Sequence, residues 1–327
     1  MDLNNTKTLS ALTLELYRAC REMAVDAYQR WALDRVKRHV PFDAGLWASG
    51  MFQDGSYPVI HNIVLVNRPL EMMADYERVK HLDQLARQNA ENHGVACIEN
   101  GVDEDAKWPP EIVAYVRKWR IVHALACHIV DPLTRLATAV AFWREERARP
   151  FSEDERQFFE NTMPHLIETY GINRIAHMER AARPRSAAPV ASAVVDRFAQ
   201  LQVAPQEFQR LLLTEWSDWS GAQVPEPIRQ LIDGNPVARF VGERIAVRAT
   251  RMSDVFLVQA RRKCPADGLS ERELDVARLC AGGMTYKAIA QRLDIAPGTV
   301  RNHISSIFAK LGIGKQSELA AALRDFD

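Results

Sequence analysis

The hydrophobic patterns of this 327-residue chain predict α+β modules, each an antiparallel sheet with flanking helices, followed by an all-α unit of four helices. Three observations carry that expectation. Runs with strand character alternate with helical stretches through most of the chain. The segment 182–192 shifts to Pro, Ala and Ser, the composition of a linker. The last sixty or so residues hold helical periodicity alone, punctuated by glycines and short polar turns.

In chain order, residues 10–38 read as one long amphipathic helix rich in Leu, Ala and Arg. Short strands are expected at Phe42–Ser49 and Val59–Val66, helical stretches around Leu70–Arg87 and Pro110–Lys118, and further strands at Ile121–Val130 and Arg135–Trp143. Ser152 and Glu155 stand three apart in the pattern of a capping box, which opens a helix running to about Arg180. Pro164 inside it removes a backbone donor, so a kink is expected there. Beyond the linker, strand-like runs near Val190–Phe198 and Leu201–Val203 precede a helix with Pro205 in its first turn and Phe208, Leu211, Leu212 and Trp216 facing inward. Strands at Val237–Phe240, Arg244–Arg248 and Val255–Arg261 complete this middle region.

The C-terminal unit is the most specific part. Ser270 and Glu273 form a second capping box, and Leu274, Ala277, Leu279 and Cys280 continue the helix until Gly282-Gly283 turns the chain. Thr285 caps a second helix whose inner side holds Ala288, Ile289, Ala290 and Leu293. After the short connection Asp294-Ile295-Ala296, Pro297 suits a first helical position because its missing N–H has no intrahelical partner to lose. Two helices joined by so short a turn have helix-turn-helix geometry. On the third helix Val300, Ile304, Ile307, Phe308 and Leu311 form a buried stripe. Gly298, Asn302, Ser305, Ser306 and Ala309 lie opposite, flanked by Arg301, Thr299, His303 and Lys310. A narrow polar face of this kind approaches base edges in the major groove closely. From Pro297 to Lys315 the cations are Arg301, Lys310 and Lys315, with no Asp or Glu.

The stretches Leu-Ser-Glu-Arg-Glu-Leu at 269–274, Ala-Gly-Gly-Met-Thr-Tyr-Lys-Ala-Ile-Ala at 281–290, Gly-Thr-Val-Arg-Asn-His-Ile at 298–304 and Lys-Leu-Gly-Ile at 310–313 together resemble the LuxR-type helix-turn-helix. By position, the resemblance implies that Arg301, Asn302 and Ser305 read bases, while Lys287, Thr299 and Lys310 hold phosphates. Ala288 replaces the usual Glu and Ala296 the usual capping Ser, so an ion pair and an N-cap worth about 1 kcal/mol are absent. The passage from Val130 to Asn173 is similar to the GAF-like N-terminal half of many such regulators, and the middle region looks like a degenerate PAS domain. The expected organisation is therefore a GAF-like sensor and dimerisation domain at 1–181, a linker at 182–192, a PAS-like domain at 193–263 and the DNA-binding domain at 264–327. Double-stranded DNA, a second copy of the chain and RNA polymerase are the partners this implies.

Composition bounds the alternatives. Forty-two basic and forty-two acidic residues cancel, so attraction to DNA has to be local. Residues 264–327 hold eight of each sign, so a single copy binds weakly and two copies on adjacent half-sites are expected; the resemblance implies that they pair through the helix holding Ser317, Leu319, Ala320 and Leu323. Arg239–Lys263 carries a net charge of plus five, which suits either phosphate contacts at Arg261-Arg262-Lys263 or a solvated strand edge. The N-terminus has no leader-like pattern and no run reaches bilayer length, so a cytoplasmic protein without a membrane partner is expected. Five scattered cysteines argue against a disulfide framework or structural zinc. His123 and Cys127 share one face of a strand while His128 points the other way, so no metal is expected there. No nucleophile elbow, phosphate-cradling glycine loop or His-Glu-x-x-His pattern supports an enzyme, and no cofactor is implied. An N-terminal α+β module suits a small apolar ligand. Trp47, Phe52, Tyr57, His61, Met72, Tyr76, Phe142 and Trp143 are the candidates to line its cup, each also a natural core filler. The Trp-Tyr-Asp-Trp constellation of acyl-homoserine-lactone sensors finds no alignment in this sequence. A ligand-responsive regulator binding a two-fold symmetric operator is the leading reading. Sensor modules that bind no ligand and serve as dimerisation or docking scaffolds are the alternative.

Overall fold

The long N-terminal pattern breaks into two helices, α1 (Leu3–Glu22) and α2 (Val25–Lys37). The break has a distant cause: the buried Asn173 amide donates to the carbonyls of Cys20 and Met23, at 2.9 and 2.8 Å, and so satisfies acceptors that the end of a helix leaves unpaired. These relations come from a computed structural model that describes residues 3–51, 59–104, 107–182, 190–232, 237–252 and 254–324. The chain divides into two compact units. One holds residues 1–178, 200–204 and 220–224, and the other holds 179–199, 205–219 and 225–327.

In the first unit the strands β1 (Ala44–Met51), β2 (Val59–Val66), β3 (Cys97–Asn100), β4 (His123–Val130) and β5 (Leu136–Arg144) form one antiparallel sheet in the order β2-β1-β5-β4-β3. The β3 strand is absent from the sequence reading, because three half-buried residues and one exposed carry too little alternation to announce it. The helical stretch expected around Leu70–Arg87 is α3 (Glu71–Val79) and α4 (Gln84–Glu91), separated where Asp83 caps α4 by accepting from the Ala86 N–H. Then come α5 (Pro110–Lys118) and α6 (Glu153–Ala182), and α6 continues through Pro164 as a single element.

Alternation sends each strand's side chains to two different layers. Trp47, Leu125, Cys127, Val140 and Phe142 pack with residues of α1, α2 and α6, where Phe42 stacks on Phe142 with ring centroids 4.2 Å apart. Ala44, Ala124 and Trp143 face the other way, toward Met72, Trp108, Ile112 and Val116 around α3 and α5. Buried Arg144 closes one end of the sheet, donating to the carbonyls of Pro41 and Pro150 and pairing with Glu155 at 2.5 Å.

The second unit contains β6 (Ala191–Asp196), α7 (Gln206–Glu215), α8 (Glu226–Ile232), β8 (Val237–Val241), β9 (Ile245–Met252) and β10 (Val255–Arg262), while the short β7 (Leu201–Val203), between β6 and α7 in sequence, falls in the first unit. In its sheet β6, β10, β9 and β8 lie side by side, all antiparallel. This is the succession of β1, β5, β4 and β3 in the first unit. Glu215 at the end of α7 accepts the backbone N–H groups of Glu243, Arg244 and Ile245, which holds the β8–β9 turn. Gly242 sits so close that an added Cβ would lie 2.2 Å from that carboxylate. The same unit ends in α9 (Glu271–Ala281), α10 (Tyr286–Leu293), α11 (Pro297–Leu311) and α12 (Gln316–Arg324), which share a core of their own. Of the expected linker, residues 183–189 lie outside the described ones.

Candidate nucleic-acid interface and ligand cavity

The four C-terminal helices are built as their local chemistry dictates. Ser270 accepts from the Glu273 N–H, and the Glu273 carboxylate takes the Ser270 N–H in return at 2.8 Å. Gly283, at φ +82°, turns the chain, and Thr285 caps α10 by accepting from the Ala288 N–H. Asp294 closes α10 in the left-handed region, a conformation Asp tolerates better than most residues. Pro297 opens α11, Ala296 supplies no side-chain cap, and Gly312 at φ +67° ends the helix. Val300, Ile304, Ile307 and Leu311 are buried against Val276, Ala277 and Ile289, and this fixes which face of α11 points outward. Arg301, Asn302, Ser305, Thr299 and Ala309 are exposed on α11, as is Lys287 on α10.

Two cations are employed differently from the expectation. Lys310 gives its ammonium to Glu273 Oε2 at 2.6 Å, and Ser306 donates to Oε1 of the same carboxylate at 2.7 Å. Lys310 is therefore paired with an anion of its own domain, while its side chain stays 43% exposed. Burial would raise the Glu273 carboxyl, but Lys310, the Ser270 N–H and Ser306 together pull it down to about 2. Likewise Arg261 does not reach outward. It makes paired hydrogen bonds to Asp267 at 2.7 and 2.8 Å, joined by Arg239 from β8 and by the Cys264 N–H. The Asp267 side chain is fully buried, so one carboxylate ties β8 and β10 to the turn that leads into α9. The Lys263 ammonium donates to the Gly242 carbonyl at 2.9 Å.

The first unit contains a cavity of about 510 Å³ between its sheet and α3, α4 and α5. Its floor is a patch of methyl groups: Ala48, Ala124, Ala126, Ala137, Ala139 and Ala141, with Ala48 opposite Ala139 and Ala126 opposite Ala141 in the register. Leu46, Met73, Ile112, Tyr115, Trp108 and Trp143 are among the walls. Tyr76 donates to Asp83 at 2.9 Å within the lining. Of the candidate lining residues that are described, only Tyr76 and Trp143 contribute. Trp47 and Phe142 are fully buried on the opposite face of the sheet, Met72 is packed into the α3–α5 core, and half-buried His61 does not line the space. Phe52 and Tyr57 lie outside the described residues. The reason is steric: large rings fill volume, whereas a void remains where side chains are small. Alternate alanines in β4 and β5 were the available signal. His123 and Cys127 stay off this face: His123 Nδ1 accepts from the Gly101 N–H, and Cys127 joins the core beneath the sheet.

Residues 267–323 match the family described as bacterial regulatory proteins, luxR family. The C-terminal domain is a LuxR-type helix-turn-helix. The DNA-binding transcriptional activator DevR/DosR of Mycobacterium tuberculosis is 36% identical over 61 residues, 19% of this chain and 28% of that protein. The transcriptional regulatory protein DesR of Bacillus subtilis is 47% identical over 53 residues, 16% of this chain and 27% of its own length. A putative HTH-type transcriptional regulator of Mycobacterium bovis is 41% identical over 64 residues, 19% of this chain, and there the chain spans only 7% of the relative's length. Escherichia coli SdiA aligns over 96% of both chains at 15% identity, but its TM-score of 0.39 is too low to bear on fold or function. Within the LuxR-type domain, the surface of α12 differs from the expectation. Leu319 and Leu323 are buried in the domain's own core, leaving Ser317, Ala320 and Ala321 exposed.

Proposed function

We propose that the chain is a cytoplasmic, effector-responsive transcription regulator whose LuxR-type domain lays α11 in the major groove of double-stranded DNA. The observation that carries this reading is the exposed polar face of α11, with Arg301, Asn302 and Ser305 outward and no acidic residue between Pro297 and Lys315. Arg301 and Asn302 read bases, Ser305 adds a short contact, and Lys287 and Thr299 hold phosphates. The segment 1–181 serves as a GAF-like sensor whose cavity receives a small molecule, 193–263 as a PAS-like relay and 264–327 as the reader. Two copies occupy a two-fold symmetric operator, because eight cations balanced by eight anions give one copy little electrostatic purchase.

Fluorescence anisotropy on promoter fragments tests the reading. Arg301→Ala is expected to cost about 1–3 kcal/mol and to relax choice at one base position, while Lys287→Ala weakens all sequences alike and lowers the salt slope by about one. If both variants bind like the parent across salt concentrations, the groove assignment is wrong.

A further inference from the structure

Two residues that line the cavity in the first unit each hold a buried polar atom without a partner among the described residues. Trp108, 6% exposed, lines it, and among the described residues its Nε1–H has no hydrogen-bond partner. Asn89, 4% exposed, lines it as well, and its Nδ2 donates to the Leu85 carbonyl at 3.0 Å. Only an N–H can face that carbonyl, so the amide orientation is fixed, and Asn89 Oδ1 is left as an acceptor without a partner among the described residues. A buried donor and a buried acceptor left unpaired each cost free energy comparable to a lost hydrogen bond, and such atoms call for a specific explanation. Both residues line one apolar space.

The space also lacks a fixed charge in its depth. Burial drives the titratable groups of the lining toward their neutral forms. The His128 imidazole is pushed down to about 4, while the Asp83 carboxyl and Tyr115 phenol rise. Of the charged groups of the lining, Glu77 and Arg87 are exposed, and half-buried Lys80 pairs with Glu77 at 2.7 Å. A charged guest would leave water for a mainly apolar interior whose half-buried cation, Lys80, is already paired. We propose that this cavity takes an uncharged, mainly hydrocarbon guest that offers one hydrogen-bond acceptor to Trp108 Nε1 and one donor to Asn89 Oδ1. The proposal rests on the effector reading above and specifies its chemistry. A volume of about 510 Å³ is in the range of small-molecule sites.

The test uses the full chain at pH 7.5 and three probes with one ring system: 2-naphthamide, 2-naphthoate and naphthalene. The amide is uncharged with donor and acceptor, the carboxylate is charged, and the hydrocarbon has neither polar group. Titration followed by intrinsic fluorescence should show 2-naphthamide binding at least tenfold more tightly than 2-naphthoate. Trp108→Phe keeps a ring and removes the donor, and Asn89→Leu keeps the volume and removes the acceptor. Each variant should weaken 2-naphthamide fivefold or more, hold naphthalene within twofold, and unfold at or above the parent's melting temperature. Equal binding of the naphthoate overturns the neutral guest. Unchanged amide binding in both variants overturns the two anchors, with water alone serving those atoms. A variant that loses naphthalene as well has lost the cavity, and the other variant then decides. If neither naphthalene nor 2-naphthamide binds the parent, the effector reading of the cavity fails while the DNA-binding proposal, measured by anisotropy, stands separately.

Discussion

Glu273 gathers three groups of the LuxR-type domain around one carboxylate. It closes a capping box with Ser270, accepts from Ser306 and pairs with Lys310 while itself nearly buried. Removing the ammonium leaves that carboxylate uncompensated, so Lys310→Ala should lower domain stability by about 1–3 kcal/mol. Chemical denaturation of parent and variant measures this, and an unchanged midpoint contradicts it. The pH dependence has a definite sign. In the folded domain Glu273 is held at about 2, below the usual carboxylate value of about 4.3. Its stabilisation is full above the unfolded value and is lost as pH falls from there toward 2. Melting temperatures between pH 6 and pH 2.5 should therefore fall less steeply in Glu273→Gln than in the parent, and parallel curves would refute the assignment. The capping box was legible from a spacing of three residues. The partnership with Lys310 was not, because a cation on the third helix suits a phosphate outside as well as a carboxylate across the core.

At the level of elements, two predictions concern how strands are used. Asp267 is fully buried and compensates Arg239 and Arg261 at once. Asp267→Asn should cost the second unit about 3–5 kcal/mol, since two guanidinium groups lose their counter-charge. Thermal unfolding tests this, and a loss within error of zero would mean that the arginines find other partners. On the cavity floor, Ala139→Leu should raise the melting temperature by filling space, a gain of about 0.5–2 kcal/mol, and abolish 2-naphthamide binding. Retained binding would place the guest elsewhere. Periodicity made most elements readable: β2 and α5 have the expected bounds, and the strands around them shift by a residue or two. What periodicity missed depended on remote chemistry, as where Asn173 takes the carbonyls that end α1. It also misjudged the cavity, because the aromatic residues that stand out in a sequence are the ones that fill a core, and the alanines that leave it hollow do not stand out.

For the whole molecule, the balance of charge predicts how binding should scale. With no net charge on 264–327, a duplex carrying one half-site should bind at least tenfold more weakly than one carrying two, and the difference should shrink as protein is diluted below its self-association constant. Equal affinity for both duplexes would remove the two-copy reading. The two sheets repeat one strand succession, β1-β5-β4-β3 and β6-β10-β9-β8. The sequence signalled both as antiparallel sheets between helices, but showed nothing of their common wiring, because topology is set by pairings between distant strands.

The clamp around Asp267 has a practical corollary for anyone who wishes to study the reader alone. A fragment beginning at Cys264 takes the carboxylate with it and leaves both guanidinium groups behind on the severed strands. Such a fragment carries a raw seam where an anion had been neutralised. It should melt below the intact chain's own reader, and a cut made upstream of β8 should restore what the shorter piece lacks.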